Sequence, residues 1–403
     1  MQELRERVGV RRRASERIAS LRPSATVEMS ERVCQARASG RRIIGLSSGD
    51  PNIETDPRIV AAAERALRDG DTHYATPAGQ PALREAIARR EAARCGAAYD
   101  PSEILVTPGG KFALLTALMG IVEPGDEVVV PEPGWVSYGP CVRLSGGVPV
   151  AFPMLDRIDA ERLRAAVTPR GKAIIVNSPV NPTGRVLRAD EIAALVDIAM
   201  RHDLWIVFDQ VYADLAHEAP MAFPQAAPEG RVCTIVVDSL SKTFGMTGWR
   251  LGYLAAPSAV AKPILKFIQH SIYCVPPFVQ AAGIEALSLF DELVPGYRAL
   301  FRRRRDHAAK HLATLAGIAC EPAEAGFYLF PGIAGDDVAT AKLWLDEGDV
   351  AVLPGSAFGP AGAGHLRLSL TPDDADIAEA LGRMGRLGIV ARENPPAAEG
   401  GRS

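Results

Sequence analysis

Much of what usually signals a protein's chemistry is missing from this chain of 403 residues. Its six cysteines, at 34, 95, 141, 233, 274 and 320, form no CxxC pair and have no histidine at zinc-finger spacing. Neither a metal site nor a disulfide framework is expected, and the cysteines read as thiols of a reducing compartment. The seven histidines make no HExxH or triad pattern, and none is given a role. No long apolar run is present: the smoothest, Ala113 to Val122, is far short of the ~20 residues that span a bilayer. No apolar segment follows the basic start either, so a secretory signal is not expected and the chain reads as cytoplasmic. Neither sign of charge dominates. Lys plus Arg is 45 against 48 Asp plus Glu, a formal charge of −3, which argues against nucleic acid or an anionic membrane as the main partner.

What is present is an ordinary apolar fraction, 47%, with Gly (37) and Pro (31) in excess. Tight turns between buried elements account for that combination better than disorder does. Short apolar runs alternate with helical patterns through the middle of the chain. Candidate strands are Ile104–Thr107, Glu127–Val130, Ala173–Asn177, Trp205–Asp209, Thr234–Asp238 and Leu251–Ala255, with helices such as Lys111–Val122 and Asp190–His202 between them. Alternation of this kind predicts an α/β fold with a mostly parallel central sheet flanked by helices. From Val294 the pattern changes to a basic helix containing Arg302–Arg305, then strand-like Phe327–Phe330 and Leu366–Leu370, a smaller α+β unit. The expected division is a large domain over 51–293 and a small one over 294–390. Residues 1–50 should pack with the small unit, and the Pro/Ala/Gly-rich tail, 391–403, should be flexible.

Ligands of open α/β sheets sit beyond the carboxyl ends of the strands, so the residues there direct the search. Ser239-Leu-Ser241-Lys242 follows one strand, with Gly245, Gly248 and Arg250 close behind. Serine hydroxyls and an arginine form a phosphate cup. A lysine amine beside such a cup is what pyridoxal phosphate requires for covalent attachment. Asp209 ends the apolar strand Trp205–Asp209. Burial there is costly unless the carboxylate meets a cation, and a protonated pyridine nitrogen is one; a helix N-cap is the plainer alternative. Tyr212 lies three residues on. Asn181-Pro-Thr-Gly184 is a turn whose amide can serve a ring oxygen. Gly109-Gly110-Lys111 is not a nucleotide P-loop, because Phe112 replaces the required Ser/Thr and no Gly stands five positions before Gly110.

Together these segments resemble the class I/II (fold type I) aminotransferases of the aspartate aminotransferase superfamily, from about Arg17 to Leu387. Arg22-Pro-Ser-Ala-Thr26, Ser48-Gly-Asp-Pro51, Tyr74…Pro77-Ala-Gly79, Leu83-Arg-Glu-Ala86, Pro124-Gly-Asp126, Asn181-Pro-Thr-Gly184, Ser241-Lys242…Trp249-Arg250 and Leu366-Arg-Leu-Ser369 all fall in the family's order. The resemblance implies pyridoxal 5′-phosphate as cofactor, carried on Lys242, which also shuttles the proton at the substrate Cα. It implies Asp209 as partner of the ring nitrogen and Tyr212 and Asn181 as partners of the ring oxygen. Trp135 would stack on the ring, and Gly110, Lys111, Ser239, Ser241 and Arg250 would hold the phosphate. Arg367 would bind the substrate α-carboxylate with help from Gly49 and Asn181. Tyr74 would reach the cofactor of a neighbouring subunit, making a homodimer with composite active sites.

The implied activity is exchange of an amino group between an L-amino acid and a 2-oxo acid. Lys111, Ser24 and Thr26 match positions that hold a distal carboxylate in bacterial relatives, which implies a dicarboxylic or polar substrate; a solvated first-turn lysine is the other reading of Lys111. Gln210, Phe112, Pro108, Gly134 and Ser271–Pro277 depart from the aspartate aminotransferase pattern and alter the walls around the substrate. The alternative activity is therefore a lyase, replacement or carbon–carbon bond-forming reaction with the same cofactor in a specialised biosynthesis. A transcription regulator with an aminotransferase-like module is disfavoured by the short stretch ahead of the matched region.

Overall fold

The computed structural model describes residues 14–21, 23–218 and 221–391. The expectations placed on residues 1–13, on Arg22 and on the tail beyond 391 lie outside them. Seven strands form the central sheet: β1 (Ile104–Thr107), β2 (Glu127–Glu132), β3 (Val148–Pro153), β4 (Gly171–Asn177), β5 (Trp205–Asp209), β6 (Thr234–Ser239) and β7 (Gly252–Ala255). Their order is β1-β7-β6-β5-β4-β2-β3. Strand β7 is antiparallel to both neighbours, and the other pairings are parallel.

The apolar runs are continuous because both faces of the sheet are covered. In β5, Val207 belongs to one hydrophobic cluster with Leu114, Ala117 and Ile264, while Ile206 and Phe208 belong to another with Ile192, Leu195 and Ile198. That two-residue alternation is the pleat of a strand buried on both sides. Strand β3 was not expected from sequence. Its Val-Pro-Val-Ala-Phe-Pro run holds two prolines and is largely exposed, which only an edge strand tolerates.

Because β7 alone is reversed, the carboxyl ends of β1, β4, β5 and β6 lie along one edge. Asn177 is level with Asp209, and Asp209 with Val237. Beyond β1 the chain turns at Gly109, whose φ of +83° suits glycine, into the helix Gly110–Ile121. A Cβ on Gly109 would stand 2.7 Å from an Arg250 guanidinium nitrogen, so the tight turn also lets the two loops meet.

The 23-residue helix Phe290–Leu312 leads into a three-stranded antiparallel sheet, Tyr328–Leu329, Leu366–Ser369 and Leu353–Pro354. Its core gathers Trp344, Leu329, Leu368 and Ala308 with Ile44 and Leu46 from near the start of the chain. Ile44–Gly45 pairs in parallel with Val350–Ala351. Glu324 and Ala325 donate backbone N–H bonds to the Gly184 carbonyl, which brings the strand carrying Arg367 against the Asn181 turn.

Candidate active site

At the shared strand edge a cavity of about 260 Å³ opens. Thr26, Gly49, Gly110, Lys111, Trp135, Asn181, Asp209, Tyr212, Ser239, Ser241, Lys242, Arg250 and Arg367, scattered over most of the sequence, all line it. Ser24 lines an adjoining cavity that shares Trp135. Tyr74 is not among these residues. It is 84% exposed and packs edge-to-face on Tyr273, ring centroids 4.9 Å apart.

Lys242 Nζ donates to the Gly49 carbonyl at 2.6 Å. Loss of water in the cavity pushes its amine down to about 8; Asp50 opposes the shift, and Arg367, Arg250 and Lys111 reinforce it. The amine can therefore be neutral close to physiological pH, as proton abstraction demands.

Asp209 is 4% exposed at the end of β5. Tyr138 Oη donates to its Oδ2 at 2.8 Å, and the Val211 N–H to its Oδ1 at 3.2 Å. Desolvation still drives its carboxyl up to about 6, although both hydrogen bonds pull it down. Between about pH 4 and 6 the folded chain thus holds a proton that the unfolded chain has lost. Its contribution to stability falls as pH rises through that window, and the cost is fully present above it. Asp209→Asn should stabilise the cofactor-free chain at pH 8 by on the order of 3 kcal/mol while weakening cofactor binding. Thermal melts with and without cofactor check this; a variant destabilised in both states would contradict it.

One wall of the cavity is built for an anion. The helix Gly110–Ile121 has no side-chain cap, so its first N–H groups are left for a ligand. Ser239 Oγ and Ser241 Oγ lie 2.8 Å apart beside it. Arg250 holds a φ of +55°, rare for a residue with a side chain, and its guanidinium bonds the Thr247 carbonyl at 2.8 Å.

Opposite, Arg367 is 2% exposed. Its Nη1 donates to Asn181 Oδ1 at 3.1 Å and its Nη2 to the Ser47 carbonyl at 2.7 Å. The guanidinium lies over the rings of Tyr328 (4.4 Å) and Phe358 (4.8 Å). Its Nε is buried without a hydrogen-bond partner. Lys111 Nζ stands 5.3 Å from the Trp135 ring centre.

Sequence reasoning missed three contributors. Tyr138 and Tyr328 line the cavity, as does Thr247. Tyr328 Oη is 3.2 Å from Tyr212 Oη. Tyr138 stands three positions after Trp135 in a turn leading into a helix, a spacing that could have flagged it. Behind the sheet, Gln210 donates to Glu91 (2.8 Å) and Asp238 (3.1 Å). Arg94 ties Asp238 and Asp214 into the same buried cluster at 2.7 and 2.8 Å, and Thr243 Oγ1 joins Asp214 at 3.3 Å.

The donor set fits pyridoxal 5′-phosphate: an amine, a buried carboxylate, and an uncapped helix start with hydroxyls and a guanidinium. Among the described residues no group of acids, histidines and cysteines could hold a metal ion, and no helix is long and apolar enough to cross a membrane.

Comparison with known proteins agrees with this geometry. The family described as aminotransferase class I and II matches residues 41–384. An aspartate aminotransferase of Geobacillus stearothermophilus is 36% identical over 388 residues, covering 93% of this chain and 98% of the relative. An aspartate/prephenate aminotransferase of Thermus thermophilus is 39% identical over 383 residues, again 93% and 98%. The solved structure of Thermus thermophilus aspartate aminotransferase with maleate superposes with a TM-score of 0.89 at 38% identity, covering 93% of this chain and all of that one. An aromatic aminotransferase from Pyrococcus horikoshii gives 0.83 at 36% identity, with 88% and 98% covered.

Proposed function

Because the chain belongs to the class I and II aminotransferases and exchanges an amino group between an amino acid and a 2-oxo acid with pyridoxal 5′-phosphate, we propose that its preferred amino acid is dicarboxylic and that the residues around the 260 Å³ cavity divide the work as follows. The observation that carries the reading is the cavity itself, with Lys242, Asp209 and Arg367 on three of its sides.

When bound, the cofactor supplies an aldehyde carbon for the amino group and a protonated ring that withdraws electrons. Lys242 Nζ holds the cofactor, and once freed takes the proton from the substrate Cα and returns it during the exchange. Asp209 balances the charge of the ring nitrogen. Tyr212 Oη and the Asn181 amide would hold the ring oxygen, and the Trp135 indole would stack on the ring. The N–H groups of Gly110 and Lys111, the hydroxyls of Ser239 and Ser241 and the Arg250 guanidinium bind the phosphate. The Arg367 guanidinium, on the cavity wall with Gly49 and Asn181, supplies a fork for the α-carboxylate.

Lys111 and Thr26 line the same cavity as Arg367, so a second carboxylate has a cation to meet. The likeness to a structure crystallised with maleate, itself a dicarboxylate, supports the choice. A panel of amino acids mixed with the enzyme without added oxo acid tests the reading. One equivalent of oxo acid per site is expected, fastest for dicarboxylic substrates, and Lys111→Met should erase that preference about 10-fold or more. Catalytic loss of a side-chain leaving group, or an unchanged preference in the variant, would overturn it.

Tyr74 and Tyr273, an exposed aromatic pair, support a homodimer in which Tyr74 completes the partner's site. The unpaired cysteines suit a cytoplasmic enzyme. The division into a large domain over 51–293 and a small one over 294–390, the latter joined by residues 1–50, is supported by the pairing of Ile44–Gly45 with Val350–Ala351.

A further inference from the structure

Tyr138 opens the helix Tyr138–Leu144 and, 1% exposed, forms part of the cavity lining. Its ring meets Trp135 edge-on at 5.5 Å, and its hydroxyl has a single hydrogen, directed to Asp209 Oδ2 at 2.8 Å. One side chain thereby touches both the indole and the carboxylate assigned to the cofactor ring. No other side chain among the described residues donates to that carboxylate; its remaining bond is the Val211 N–H on the other oxygen, at 3.2 Å.

The charged and titratable groups around Asp209 make this contact matter. On β6, Asp238 repels a second negative charge; from the short helix Leu240–Thr243 after β6, Lys242 attracts one. Tyr212 lies on the same side of the site, and its phenol is held neutral by burial and by Tyr328. Tyr138 is likewise kept as a phenol, by burial and by Asp209 itself. A neutral donor that never loses its proton can stabilise a neighbouring carboxylate throughout the working pH range. Without it, burial and Asp238 would favour the protonated acid, which cannot pair with a ring cation.

We propose that Tyr138 is a positioning residue that holds the Asp209 carboxylate ionised and aimed at the nitrogen of the cofactor ring. The proposal rests on the reading of Asp209 as the ring partner, so its test includes that residue separately. Full-length Tyr138→Phe, Asp209→Asn and the double variant are freed of cofactor and titrated with pyridoxal phosphate across pH 5–9, with kcat and KM measured on the reloaded enzymes. Tyr138→Phe, which keeps the ring and its packing, should weaken cofactor binding about 10-fold and move the acid limb of binding to higher pH. It should lower kcat with little change in KM. In the Asp209→Asn background the same substitution should add little, because the charge it serves is gone. An Asp209→Asn variant that binds cofactor normally would sink the ring-partner reading. A normal Tyr138→Phe beside a weakened Asp209→Asn, or equal losses in both backgrounds, would sink the role given to Tyr138 alone.

Discussion

Lys242→Ala is expected to reduce turnover by about 10⁴-fold and to abolish the visible absorbance of the lysine-linked cofactor. In its proposed role the amine serves twice, as the point of attachment and as the base at Cα, and proton transfer by a placed side chain alone accounts for up to roughly 10⁴ in rate. Among the other cations of the cavity, the Arg250 and Arg367 guanidiniums cannot give up a proton, and Lys111 lies toward the Trp135 ring, 5.3 Å from its centre. A steady-state assay and a spectrum of the purified variant settle the matter, and normal turnover would end the assignment. The same protein examines the dimer. If Tyr74 completes the partner's site as proposed, Lys242→Ala chains mixed with Tyr74→Ala chains should regain activity, because one site of each hybrid pair then holds both native residues.

Arg367→Met is expected to lower kcat/KM roughly 30- to 4,000-fold, the range found when one member of a buried, hydrogen-bonded charge pair is removed. Methionine keeps most of the volume, so packing between Tyr328 and Phe358 should survive. The loss should fall mainly on KM, since the α-carboxylate is bound before and during the chemistry alike. Arg367→Lys should recover only part of it, because a point charge cannot reproduce the fork. Equal KM values for wild type and Arg367→Met would place α-carboxylate recognition elsewhere.

The parts of this molecule legible in its sequence are those written locally. Strands β1 and β5 were readable to the residue because their apolar runs end at Thr107-Pro and at Asp209. Lys242, Asn181 and Arg250 stood out because each sits in a run of turn-forming neighbours. Contacts made by the fold were another matter. Tyr138 and Asp209 are 71 positions apart, and Tyr212 and Tyr328 are 116 apart, so no spacing rule joins them. Gln210 looked like a mere departure from the family pattern. In the folded chain its amide donates to two acids at once, Glu91 and Asp238, and accepts from Gln225 at 2.9 Å. A glutamate there would add a carboxylate to a site that already pushes Asp238 up to about 6, chiefly through burial. Strand β3 escaped because its prolines hide an edge strand in what reads as a loop.

The ion cluster behind the sheet separates two tasks that many enzymes must solve with the same atoms. Gln210, Asp238 and Thr243 each adjoin, along the backbone, a residue lining the cavity: Asp209, Ser239 and Lys242. All three are anchored to Glu91, Arg94 or Asp214 on the far side. The frame is thus bolted from the rear; Phe112, Gly134 and the Ser271–Pro277 run, expected to alter the substrate walls, do not line the cavity, whereas Thr26 and Lys111 line it outside those bolts. Drift at Thr26 and Lys111 can retune which side chain is accepted without loosening the chemistry, an arrangement from which new substrate ranges can evolve by small steps.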